Sequence, residues 1–133
     1  MDFVELYDLA REKQNPRELS PFISAGGVSA AILAVNGNVY TGVCIDTACT
    51  LGMCAERNAI ANMITNGDSQ VVKLVCIVPD GSVGSPCGAC REYLMQLHVE
   101  NRRTQILQEL SSGKTITLDE LLPDWWGNHR YGV

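Results

Sequence analysis

Residues 54–98 read CAERNAIANMITNGDSQVVKLVCIVPDGSVGSPCGACREYLMQLH, and the change of periodicity along them decides the fold. Between Cys54 and Thr65, Ala55, Ala59, Ile60 and Met63 fall on one face of a helix, and Asn66-Gly67 supplies a stop. Val71 to Val78 is an unbroken apolar, largely β-branched run closed by Pro79, Asp80 and Gly81, the pattern of a strand buried on both faces at the centre of a sheet. After the loop GSVGSP, Tyr93, Leu94 and Leu97 return to helical spacing, so Cys87 and Cys90 fall at the start of a second helix.

Working outward, Val28 to Val35 and Asn38 to Ile45 read as two strands joined at Asn36-Gly37, the strongest short hairpin signal. Before them, Phe3, Leu6, Leu9 and Ala10 space an amphipathic surface helix over residues 2–13, broken by Asn15, Pro16, Ser20 and Pro21. Further strands are expected near Thr104 to Leu107 and Thr115 to Leu118. The order helix, hairpin, helix, strand, helix, strand implies a layered α/β domain. With 133 residues, no repeat and no linker, residues 1–133 are expected to form a single domain with one apolar core.

Composition narrows the function. With 46% hydrophobic and 19% charged residues, the chain belongs to the ordinary globular class, and disorder is excluded. A net charge of -5 and only Arg102-Arg103 as a local basic pair argue against a nucleic-acid partner. The charged start MDFVELYDLAREKQN lacks the features of a secretion signal, and the longest apolar runs fall far short of the roughly 20 residues of a membrane span, so no membrane partner and a cytoplasmic location are expected. In that setting the six cysteines read as reduced thiols available for metal or catalysis.

Cys87 and Cys90 are spaced C-x-x-C at a helix start, where the helix dipole favours negative charge. Alone, this pair reads equally as a redox couple, half of a zinc ribbon, or two buried thiols. Cys54-Ala55-Glu56 opens the other helix and adds a third sulfur with a carboxylate two residues on. Three protein ligands with one open position characterise a catalytic zinc, whereas a structural zinc takes four. Glu56 then has a task that does not require ligation, carrying a proton to and from a water activated by the metal. Three thiolates on one dication leave the site negative, which Arg57 and the two helix N-termini would offset; the bland reading of Arg57 is a solvated helix residue.

The combination of C-x-E with P-C-x-x-C is the mark of zinc nucleobase deaminases. Cys54-Ala55-Glu56-Arg57 and Ser85-Pro86-Cys87-Gly88-Ala89-Cys90-Arg91 resemble the C-A-E-R and S-P-C-G-x-C-R segments of the cytidine deaminase superfamily, in its small, three-cysteine branch with cytidine and blasticidin S deaminases. The resemblance runs from about Val28 to Leu122. It implies a three-layer α/β/α fold with a central mixed sheet of about five strands, a Zn2+ cofactor on Cys54, Cys87 and Cys90, and Glu56 as the catalytic residue. The implied reaction is hydrolytic: water attacks the ring carbon bearing an exocyclic amine, Glu56 protonates the ring nitrogen and then the departing amine, and ammonia leaves a carbonyl behind. Members of this branch are homotetramers whose pockets neighbouring subunits complete, so a homotetramer is implied here.

The chain departs from the family at the substrate positions. Cytidine deaminases carry F-P-V-G-A-A on the first strand, the phenylalanine lining the pocket, and N-x-E on the second, gripping the ribose hydroxyls. Aligned on Val28-Ser29-Ala30-Ala31, this chain has Gly26 and Gly27 at the phenylalanine and proline, and Cys44-Ile45-Asp46 at N-x-E. The asparagine amide is lost and the carboxylate is one methylene shorter. The segment TACTLGM before Cys54 is one residue shorter than usual. Blasticidin S deaminases also depart at these positions and carry a serine in the stretch resembling Val28-Ser29-Ala30-Ala31. Substrate contacts are therefore assigned to Cys44, Asp46, Ala55 and Ser85, with Asp46 reading equally as a strand-end turn residue.

The function expected is deamination of a free cytosine nucleoside (cytidine, deoxycytidine or a cytosine-containing analogue), with an aminonucleoside antibiotic of the blasticidin S kind as the alternative substrate. A non-catalytic zinc-stabilised domain, its fourth ligand Cys44 or Cys49, is the reading from another class. Otherwise Cys44, Cys49 and Cys76 read as buried small residues. His98 and His129 read as neither ligands nor bases, and Trp125 and Trp126 as either a pocket or subunit cover or packing of the C-terminal segment.

Overall fold

The computed structural model describes all residues 1–133 and is built on one mixed sheet. In chain order the elements are helix α1 (Phe3–Lys13), strands β1 (Arg17–Glu18), β2 (Ile23–Ala34) and β3 (Val39–Thr47), helix α2 (Ala55–Thr65), strands β4 (Val71–Ile77) and β5 (Val83–Gly84), helix α3 (Gly88–Leu97), strands β6 (Gln105–Glu109) and β7 (Lys114–Thr117), and helix α4 (Leu118–Leu121). Strand β2 pairs antiparallel with β3 and β4, β4 runs parallel to β6, and β7 closes the far edge against β6. The two-residue strands β1 and β5 attach to β2 and β4. They raise the expected five strands to seven.

Side-chain alternation along β2 sorts the two apolar layers. Ala31 and Leu33 pack with Val75, Ile77 and Leu107 against Leu6 and Ala10 of α1. Ile32 and Ala34 face the other way, onto Ala59, Ile60 and Met63 of α2 and Leu94 and Met95 of α3. The result is the three-layer α/β/α architecture, with α1 alone on one face. β4 lies between β2 and β6, in the central place its uninterrupted apolar run predicts. No helix is long and apolar enough to cross a membrane.

Two local readings are corrected. β2 begins at Ile23, five residues before the expected Val28, because Ile23 to Ala25 find partners on β3 and the register slips between Ala25 and Ser29. Gly26 sits in that slip at φ +88, and a Cβ there would lie 2.1 Å from the Asn15 carbonyl oxygen, so the position has no room for a side chain. Asp46 lies within β3, opposite Ser24, and is not a turn residue. His98 ends α3 with an extended backbone, and its Nδ1 accepts from the Glu100 N–H at the start of a 3-10 turn.

Buried polar groups join the layers. Asn101, fully enclosed, accepts from the Val71 N–H and donates to the carbonyls of Ser69 and Leu94, tying the start of β4 to the end of α3. On the α2 side, Gly42 of β3 lets two backbones meet: a Cβ there would stand 2.4 Å from the Ala59 nitrogen and 2.6 Å from the Ala55 carbonyl oxygen. The Asn58 amide, donating to the Val43 carbonyl, clips the same turn of α2 to β3.

Gly42→Ala is expected to push α2 off the sheet, lowering the unfolding free energy by about 1–3 kcal/mol in a urea titration. Asn101→Ala should cost about 1–3 kcal/mol by leaving the Val71 N–H buried without an acceptor. An unchanged midpoint in either variant would refute the corresponding contact as a structural constraint.

Candidate metal centre and substrate cavity

Two helix N-termini meet at one place. Cys54 is the N-cap of α2 and Cys87 the N-cap of α3, each with extended backbone and neither with a side-chain capping bond. One turn into α3, Cys90 joins them. The three sulfurs lie within 4.8 Å of one another, with Cys54 Sγ 3.4 Å and Cys90 Sγ 3.3 Å from Cys87 Sγ. A zinc ion with bonds of about 2.3 Å to sulfur needs a tetrahedral edge of about 3.8 Å, so the donor set fits that ion after small shifts. Cys44 and Cys49 lie outside the group. A fourth thiolate closing the sphere, as the non-catalytic reading requires, is therefore not assembled.

Electrostatics agree with a cationic guest. Burial pushes the Cys54 thiol up, with the neighbouring Cys87 and the Glu56 charge adding to it. Burial pushes Cys90 up further, again with Glu56 and Cys87 contributing. Burial acts in the same sense on Cys87, but the backbone N–H groups of Cys90 and Ala89 and the adjoining thiols outweigh it and hold Cys87 below the usual thiol range. The helix end thus favours charge on one sulfur, and a dication would supply the field the other two need. Arg57 lines the cavity and keeps a buried Nε with no hydrogen-bond partner, a positive group left available to a negatively charged cluster.

Cys54 and Cys87 border a cavity of about 450 Å³, within the usual range for small-molecule sites. Glu56, only 4% exposed, contributes to its wall from the first turn of α2. Of the residues assigned from sequence, Cys44, Asp46, Cys54, Ala55, Glu56, Arg57, Ser85 and Cys87 all line this cavity, and Cys90 is buried behind it. Cys44 Sγ accepts from the Val28 N–H and lies 3.8 Å from Asp46 Oδ2. Asp46 is exposed at the mouth. The Ser85 hydroxyl accepts from Arg91, whose guanidinium also donates to the Pro86 carbonyl, so the loop before Cys87 is held to α3.

Several expectations change. Cys49 is exposed and Cys44 is half-buried in the cavity wall, so neither is a buried filler; Cys76 is buried, but it also reaches the cavity and Glu56. Gly26 does not line the cavity; Val28 does. Ser29 is enclosed and alternates to the α1 face with Ala31, away from the cavity, so the serine that suggested an antibiotic substrate makes no contact there. Trp125 and Trp126 both donate to the Glu92 carboxylate on α3 and stand apart from the cavity. Arg91 and Cys76 are further residues at the site that the sequence does not mark. The motif contains Arg91 without revealing its contacts, and Cys76 is indistinguishable in sequence from any buried strand residue.

A mixed sheet that presents three thiols from two helix N-termini, with a buried carboxylate on the same cavity, defines a metal-dependent hydrolase of the nucleobase-deaminase class. Residues 8–105 match the family described as "Cytidine and deoxycytidylate deaminase zinc-binding region". The chain is 32% identical over 95 residues to a cytidine deaminase of Mycoplasma genitalium, covering 70% of this chain and 73% of that protein. It is 32% identical over 101 residues to one of Mycobacterium tuberculosis, covering 75% and 72%. The crystal structure of cytidine deaminase from Mycobacterium tuberculosis superposes with a TM-score of 0.77 at 28% identity, covering 96% of this chain and 98% of that one. That from Mycobacterium leprae gives 0.75 at 25%, covering 93% and 99%. The chain belongs to the cytidine and deoxycytidylate deaminase family, and is a zinc-dependent hydrolytic deaminase.

Metal analysis of the purified protein should find one zinc per chain. Cys54→Ser, Cys87→Ser and Cys90→Ser should each lose most of it, while Cys44→Ser and Cys49→Ser retain it. Zinc lost from Cys49→Ser, or kept by all three of the first set, would refute this donor set.

Proposed function

We propose that the chain deaminates a free cytosine nucleoside or a cytosine-containing analogue, with zinc held by Cys54, Cys87 and Cys90 and Glu56 as the catalytic proton carrier. The observation that carries the reading is the convergence of those three sulfurs, with Cys54 and Cys87 on a cavity that Glu56 also lines. Bound there, zinc would supply the Lewis acidity that makes water nucleophilic near neutral pH.

The rest belongs to the protein. As the water oxygen bonds to the ring carbon bearing the exocyclic amine, Glu56 accepts its proton and passes it to the ring nitrogen. Glu56 then carries the second proton of that water to the amine, the carbon–nitrogen bond breaks, and ammonia leaves with a carbonyl in its place. Arg57 offsets the negative charge of the thiolates. Cys44, Asp46, Ala55 and Ser85 contact the substrate, Asp46 by accepting from a hydroxyl or amine at the mouth. Arg57 is the only Lys or Arg on the cavity, which it lines together with Asp46 and Glu56, a balance that favours a neutral nucleoside over a nucleotide.

This reading takes residues 1–133 as one cytoplasmic domain that assembles as a homotetramer. Leu51, 98% exposed on the cavity wall, and Phe22, exposed nearby, are apolar surfaces that a neighbouring subunit would cover.

Ammonia release should be measured over cytosine, cytidine, deoxycytidine, deoxycytidylate and blasticidin S. Turnover is expected with the nucleosides, and none of them reacting defeats the proposal. Glu56→Ala should keep its zinc and lose activity at least about 100-fold. Native mass spectrometry should give four chains; a monomer that is fully active would overturn the assembly.

A further inference from the structure

Glu56 is held from below by a residue that the mechanism does not otherwise use. Cys76 sits in the central strand β4, paired with Ala30 on one side and Gly84 on the other, and is 4% exposed. Its thiol donates to Glu56 Oε1 at 3.4 Å. That is the only protein hydrogen bond to the carboxylate, so Oε2 has no protein partner. Both residues line the cavity.

We propose that Cys76 is a positioning residue for the deamination: its S–H, fixed on the sheet, anchors one oxygen of the catalytic carboxylate and leaves the other to exchange protons with water and substrate. The inference rests on the proposed role of Glu56 and adds to it a partner on a different layer of the fold.

Geometry favours this role over simple packing. A carboxylate that moves a proton between a water, a ring nitrogen and a departing amine must keep its orientation while its charge changes, and a pre-set rotamer removes that reorganisation from the reaction. α2 carries Glu56 by a flexible three-bond side chain, whereas Cys76 is immobilised by ladders on both sides. Burial and the facing Glu56 carboxylate push the Cys76 thiol well above the usual range, which favours its protonated, donating form. A valine would occupy the position with a somewhat larger apolar side chain and offer no donor.

The test compares Cys76→Val and Cys76→Ser with the wild-type zinc protein. Cys76→Val should lower kcat about three- to tenfold with KM within about twofold, while zinc content and Tm stay near wild type. Cys76→Ser, which restores a donor, should recover most of that loss. Equal kcat in wild type and Cys76→Val, or equal losses in the two variants, overturns the role.

A second readout does not depend on turnover. The wild-type minus Cys76→Val Raman difference spectrum isolates the Cys76 S–H stretch, which should lie at the lowered frequency of a hydrogen-bonded thiol and rise when the same difference is taken in a Glu56→Ala background. A band at the free-thiol frequency, or one indifferent to Glu56, refutes the contact. If no substrate releases ammonia, the functional proposal fails while this band still decides the inference.

Discussion

Everything at the site depends on how closely α2 can approach the sheet. At Gly42 the backbone of β3 meets the backbone of α2 with no side chain between them, and Asn58 clips the helix there to the Val43 carbonyl. Cys54, Glu56 and Arg57 all lie within one turn of that contact, so the height of α2 above β3 sets the depth of the carboxylate and the reach of one sulfur. On the other side, Asn101 fixes the end of α3 to the start of β4, and Arg91 holds the loop that delivers Cys87. Two helices docked independently on one sheet thus bring their N-termini together. The sheet is the common reference that makes the convergence reproducible.

The same convergence creates an electrostatic problem. Three thiols and a carboxylate crowd together, and only Cys87, at a helix N-terminus, is drawn below its usual range. The helix dipoles, Arg57 and a divalent cation each supply positive potential there, and the cation supplies the most. On the proposed reading, Glu56 is then the group left to move protons. The mouth is acidic and lightly built, with Asp46 the charged group on its rim, which separates a shared chemical centre from a substrate end particular to this chain.

The catalytic centre was legible because its spacing is local. C-x-E and C-x-x-C each fall within one turn, so periodicity alone put them at helix starts, and the unbroken run at Val71 put the strand between them at the centre of the sheet. The rim was less legible. Gly26 and Gly27 looked like a lost aromatic contact, but a register slip in β2 turns that position toward Asn15 and gives the cavity Val28 instead. Ser29 marks a resemblance to antibiotic deaminases, but strand alternation puts it on the α1 face. A one-residue slip reverses which face a side chain occupies, and nothing in the local sequence reports it.

From the sequence alone came the layer order, the helix starts that carry Cys54, Cys87 and Cys90, and the family, since each rests on residues a few positions apart. Tertiary structure alone decided which groups meet across the layers: the Cys76 thiol beneath Glu56, Arg91 on the loop before Cys87, Trp125 and Trp126 on Glu92, and three sulfurs within 4.8 Å. The physical reason is one of range. Helix and strand periods are written in neighbouring residues, whereas a contact between β4 and α2 depends on sheet register and on how closely two backbones pack, which no short stretch of chain encodes.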